Sequence, residues 1–264
     1  MAKQKGIVKL KGSLGDLSLY KSRDGYLARE KGGIDTEMIK NSSRFQRTRE
    51  NNAEFKEAVR AVNLIQRAFW EILSGVNVQE YRNRLMQEML KIVSKDSVNV
   101  RGKRKVYNEH VESLQGFEFN GHSGFNKLFT APYLLELLEF DINEWYVNYY
   151  TTFAFVPADT ILAPAGATHY RIMSAGGQID FENDSYMIRT KPDLELPLNN
   201  DFASFHEAYQ IDYEANANLP VFLMLRPVFY QEMNNRLYEL KGNSYNAASL
   251  VFVKKSVEYA YKVW

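Results

Sequence analysis

Four histidines, His110, His122, His169 and His206, are the natural first place to look for chemistry in this sequence. No two of them stand three to five residues apart, the spacing that puts two imidazoles on one helix face around a metal, so no metal site is expected. GHSGF (121–125) begins like a nucleophile elbow, but Phe125 occupies the place of its second glycine, and the stretch reads as a plain turn. In QIDFENDS (178–185) the alternation of Asp180, Glu182 and Asp184 would aim three carboxylates to one side of an extended chain. Calcium needs six to eight oxygens, so a solvated strand end is the expected reading. KGSLGD (11–16) lacks the lysine and the flanking elements of a phosphate loop. With no converging nucleophile or acid–base set, the chain is read as a non-enzyme with no cofactor.

Charge is the larger signal. The formal net charge is only +1, yet residues 1–110 carry 23 Lys and Arg against 13 Asp and Glu, a net of +10, whereas residues 111–264 carry 10 against 19, a net of −9. Such a division gives a dipolar molecule whose field reaches about a Debye length, roughly 8–10 Å. The candidate contact residues are the basic ones: Lys9, Lys11, Lys21, Arg23 and Arg29 near the start, Arg44, Arg47 and Arg49 entering a helix, and Arg101, Lys103, Arg104 and Lys105 in RGKRK. Their expected counterparts are Glu136, Glu139, Asp141 and Glu144. Converging cations could neutralise phosphates, and Tyr20 and Tyr26 could stack on bases.

The elements that must carry these residues follow from periodicity. KGSLGDLSLYKSRDGYLAREKGG (11–33) opens the chain with three expected strands, Ile7 to Lys11, Leu17 to Lys21 and Tyr26 to Arg29, with Asp24-Gly25 as a type I′ turn. From about Asn41, Phe55, Val59, Val62, Ile65, Phe69 and Ile72 recur at three and four residues and predict a helix ending at Gly75. Tyr81, Leu85, Met89, Ile92 and Val93 predict a second helix, hence a helical hairpin. Beyond residue 111, aromatic-rich runs at 143–155, 168–175, 185–190, 206–215, 220–233 and 249–264 predict antiparallel strands. Gly176-Gly177, Asn199-Asn200 and Lys241-Gly242-Asn243 are taken as the turns between them. Trp145, Tyr146, Tyr149, Tyr150 and Trp264 could stack on sugars, but the alternation of NEWYVNYYTTF accounts for most of them as strand residues.

The expected fold is therefore α+β: an N-terminal β-meander plus helical hairpin in a basic module, residues 1–110, followed by an acidic C-terminal antiparallel β-sandwich, residues 111–264. With 45% hydrophobic residues the chain is globular, and with no cysteine it holds no disulfide. No apolar run suggests a signal peptide or membrane span, so a cytoplasmic protein without membrane insertion is expected.

The segments KGIVKLKGSLGDLSLYKSRDGYLAREKGG, FQRTREN, PAGATHYRIMSAGGQIDFEN and LPVFLMLRPVFYQEMNNRLYELKGNSYNAASLVFV resemble a set of uncharacterised bacterial or phage-associated proteins of similar length, over nearly the whole chain. The resemblance implies a bacterial or phage origin and a two-part arrangement; it implies no activity and no site residues. The function expected from charge is structural: a self-associating protein whose basic module meets the acidic module of another copy, as a homo-oligomer or filament. The alternative is a nucleic-acid-binding accessory protein using the basic module. No small-molecule substrate is evident.

Overall fold

A computed structural model describes residues 2–30, 36–141, 144–151, 155–192, 194–199, 206–212, 218–242 and 245–255; over 136–141, 144–151, 192 and 206–212 it describes the backbone. Both helices and strands are present, and among the described residues every strand pairing is antiparallel. The chain divides into two compact units, residues 1–51 and 52–264.

In the first unit, β1 (Ala2–Lys3), β2 (Gly12–Leu14), β3 (Leu17–Ser22) and β4 (Gly25–Glu30) form a four-stranded sheet in the order β1-β4-β3-β2. The expected strand over Ile7 to Lys11 is instead an irregular loop. Gln4 explains it: the side-chain amide accepts from the Leu10 N–H at 2.9 Å and donates to the Leu10 and Leu27 carbonyls at 3.1 Å each. The amide thus takes the hydrogen bonds that a neighbouring strand would have made. The β3–β4 turn also differs from type I′. Ser22 pairs with Gly25, which puts Arg23 and Asp24 at its centre, and of these three loop residues only Gly25 (φ 104°) has a positive φ. A short helix α1 (Thr36–Asn41) and a 3₁₀ turn (Ser43–Phe45) lead into α2 (Gln46–Ala68).

The second unit is built on a wide antiparallel sheet. Its central strands are β7 (His169–Asp180) and β11 (Val221–Met233). On the outer side of β7 lie β8 (Ser185–Pro192) and the short β9 (Leu196–Pro197); on the outer side of β11 lie β12 (Arg236–Glu239) and β13 (Ser249–Lys254). Three further strands, β5 (Tyr133–Asp141), β6 (Glu144–Thr151) and β10 (His206–Asp212), pair in the order β10-β6-β5. Gly176 and Gly177 do not make a turn. They lie inside β7, where a Cβ on Gly177 (φ 145°) would stand 1.9 Å from the Met187 carbonyl oxygen of β8. The missing side chain is what lets the two backbones pair.

Both faces of the wide sheet are covered, which is why β11 reads as a nearly continuous apolar run. Phe222 and Met224 of β11, with Ala175 and Ile179 of β7 and Leu250 and Val253 of β13, pack with the helices α2, α3 (Trp70–Leu73) and α4 (Val78–Ser94). The alternate residues Val221, Leu223 and Leu225 pack with Tyr170 and Ile172 on the other face. There Phe125 and Leu128 of α5 (Phe125–Leu128), Phe129 and Phe155 complete a second cluster, which borders α6 (Pro157–Thr160). The first cluster draws on residues from both sides of position 110.

Of the helical stripe, Val62, Ile65, Phe69 and Ile72 are buried, Val59 is partly buried and Phe55 is exposed. The helix breaks at Phe69 (φ −106°, ψ 20°), and Asn77 caps α4 by accepting from the Gln79 N–H at 3.1 Å. Arg82 near the start of α4 bonds Asn63 and Gln66 late in α2, whereas Gly102 and Val106 after α4 bond Glu54 and Glu57 early in α2. The two helices therefore run antiparallel.

Candidate interaction surfaces

The candidate cations fall in both units. In the first, directly paired residues share a sheet face, so Leu14, Leu17, Leu19, Tyr26 and Ala28 line one face and Tyr20 and Leu27 the other. Leu27 is the only buried apolar side chain among the described residues of this unit. Leu14 is 64% exposed and Leu17 42%, and Ile7, Val8 and Leu10 stand exposed in the preceding loop. A sheet of this size normally needs an apolar face covered to be stable, and here the leucine face is open.

Of the cations on the sheet, Lys21 lies on the leucine face and Arg29 on the opposite one. Lys21 lies opposite Tyr26 with Nζ 5.8 Å from the ring centroid, and the Arg29 guanidinium stands 5.5 Å from the Tyr20 ring. The tyrosines suited to base stacking are thus each approached by a cation of their own unit. Lys9 donates to the Gln4 carbonyl at 2.5 Å, Arg47 pairs with Glu50 at 2.9 Å, and Arg49 donates to the carbonyls of Ile39 and Ser42 at 2.7 Å each. Lys11, Arg23 and Arg44 are exposed and make no ion pair among the described residues. The unit carries 12 Lys and Arg against 6 Asp and Glu, a net of +6.

In the second unit RGKRK is an ordered loop held by carboxylates. Asp96, only 3% exposed, accepts from the N–H groups of Val98, Asn99 and Lys105 at 2.8, 3.0 and 3.0 Å and from the Asn99 amide at 3.0 Å. Burial pushes its carboxyl upward, but the four donors outweigh that and hold it at about 2. Glu54 accepts from the Gly102 N–H at 2.9 Å and lies 3.9 Å from Arg104 Nε. Arg101, Lys103 and Lys105 are exposed while Arg104 is half-buried. Asp96 and Glu54 thus fix this loop mainly through its backbone N–H groups.

The expected acidic partners lie on β5 and β6. Glu136 is in register with Asn148, Glu139 with Trp145 and Asp141 with Glu144, with an irregularity between Glu139 and Asp141. Their side chains lie outside the described structure.

The other sequence motifs are structural. GHSGF leads into α5, whose Phe125 N–H donates to Glu118 at 3.0 Å. Asp180 closes the turn after β7, accepting from the N–H groups of Glu182 and Asn183. Among the described residues no three His, Asp or Glu side chains cluster as a metal site, and no helix is long and apolar enough to cross a membrane.

Two residues carry more than the sequence reading gave them. Arg226, 2% exposed, lies in β11 among apolar neighbours, donates Nη1 to the Ile72 carbonyl at 2.9 Å, and holds Nη2 3.5 Å from Glu239. Its guanidinium rests on Gly75, where a Cβ would stand 1.9 Å from Nη2. Burial lowers its pKa, with Glu239 opposing. A lone arginine in VFLMLRPVFY was the available signal, because an interior charge requires partners. Trp70, immediately after the break at Phe69, is 66% exposed, and its position off the apolar stripe was the corresponding signal.

Comparison of the chain with protein-family models, curated proteins and solved structures gives no match.

Proposed function

We propose that the protein is a non-enzymatic assembly component, in which the basic module of one copy, residues 1–110, engages the acidic module, residues 111–264, of another. The observation that carries this reading is the first unit's sheet: a leucine face on which Leu14 and Leu17 are exposed and Lys21 stands, in a unit of net charge +6 with a single buried apolar side chain among its described residues. An apolar centre with a charged rim is the anatomy of a protein interface. The net charge of −9 on residues 111–264 favours a second copy as its occupant, since opposite potentials steer encounter and suppress like-charged approaches. In this reading the C-terminal strands form a sandwich of two facing antiparallel layers, with Tyr133 and Leu135 at the start of β5 packed against the second apolar cluster. The contact joins two different surfaces and so propagates into a ring or filament.

Light scattering of nuclease-treated protein across a salt series tests the proposal. Mass above that of one chain at low salt, falling as salt rises, is expected. A single-chain mass at every salt and concentration overturns it, and mass that vanishes on nuclease treatment transfers the basic module to nucleic acid.

A further inference from the structure

The exposed Trp70 indole borders an open cleft of about 600 Å³ lined with Arg60, Asn63, Gln66, Arg67 and Asp184. An exposed indole alone is unremarkable on a protein surface. Here, however, the polar groups beside it are fixed before any ligand arrives. Arg67 donates to Asp184 at 2.7 Å, and Arg82 donates to the Asn63 side-chain oxygen at 2.8 Å and to that of Gln66. The Gln66 amide N–H is directed to Tyr81 Oη at 3.2 Å, while that of Asn63 has no acceptor among the described residues. Arg60 is held bidentately by Glu57 and stands 3.7 Å from Asp184. The two arginines that line the cleft, Arg60 and Arg67, are thus met by the carboxylates of Glu57 and Asp184, which leaves its lining without the cluster of unpaired cations that a phosphate needs.

We propose that this cleft is a binding site for a neutral oligosaccharide. A hexose ring presents a flat C–H face to an aromatic platform and a rim of hydroxyls that both donate and accept. The indole supplies the platform, and the Asn63 amide, the Arg67 guanidinium and the second lone pairs of Asp184 supply both halves of the hydrogen-bonding complement. An open cleft suits an internal stretch of a sugar chain better than an enclosed small molecule. The site is independent of the assembly proposed above.

The test titrates the full chain with cellotetraose, maltotetraose and chitotetraose by saturation-transfer NMR and calorimetry. At least one is expected to bind with an affinity that is flat across a salt series and weakened about tenfold or more, roughly 1.4 kcal/mol, by Trp70→Ala. Because Trp70 is exposed, the thermal midpoint of that variant should match wild type, so lost binding cannot be ascribed to lost folding. Failure of all three sugars to bind at about 5 mM, which excludes useful affinity, overturns the proposal. So does binding unaffected by Trp70→Ala. A synthetic single-stranded oligonucleotide bound through Trp70 with steep salt dependence would reassign the site to base stacking. Native mass unaltered in Trp70→Ala would show that the sugar site and the assembly surface fail or succeed separately.

Discussion

Replacing Asp96 by asparagine should remove one defined piece of the protein's acid sensitivity. The wild-type carboxylate gathers three backbone N–H groups and one amide around a side chain that is 3% exposed. Its pKa, lowered from 3.8 to about 2 against the opposing effect of burial, corresponds to roughly 2.5 kcal/mol by linkage. The loop lies close to solvent, and screening reduces this to about 1–2 kcal/mol. Because the folded value lies below the unfolded one, the contribution is complete above about pH 5 and is lost as pH falls towards 2. Urea unfolding from pH 7 to pH 2 should show Asp96→Asn less stable by about 1–2 kcal/mol at pH 7, with the gap closing at the acid end. A gap that stays constant with pH, or no gap at pH 7, would refute the assignment of the loop's order to this carboxylate.

Other positions test the packing. Gly177→Ala should cost about 2–3 kcal/mol or more in unfolding free energy, since its Cβ meets the Met187 carbonyl and its backbone has φ 145°. Gly75→Ala should lower the thermal midpoint by displacing the Arg226 guanidinium, and should lower it much less when introduced into Arg226→Met, where that guanidinium is gone. Arg226→Met, which keeps most of the volume but leaves the Ile72 carbonyl without its donor, should cost about 1–3 kcal/mol, and Arg226→Ala, which adds a cavity, about 1–2 kcal/mol more; equal effects would contradict the clamp.

The helices were legible because burial on one side imposes a period of three and four, and Tyr81, Leu85, Met89, Ile92 and Val93 are all buried as that period requires. The strands β6, β7, β8, β10, β11 and β13 were legible from aromatic and β-branched runs, whereas the short β9 and β12 fell outside those runs. YLLELLEFD was missed because its leucines do not alternate. Gly176-Gly177 misled because glycine marks both turns and close backbone approach, and only the partner strand decides between them. The Gln4 bridge was not legible, since one side-chain amide replacing a strand's hydrogen bonds leaves no periodic trace. Asn234-Asn235, with φ of 53° and 58°, forms a tight two-residue hairpin turn that Asn permits without glycine. The basic residues were visible individually, but their division between an open sheet and a carboxylate-held loop depends on contacts distant in sequence.

The proposed assembly rests on the open leucine face of the first unit. Sedimentation of the 264-residue chain at low salt, compared with a Leu14→Lys, Leu17→Lys variant, tests it most directly. The wild type should sediment as an assembly and the variant as a single chain with an unchanged thermal midpoint. Two identical sedimentation profiles would show that this face holds no partner.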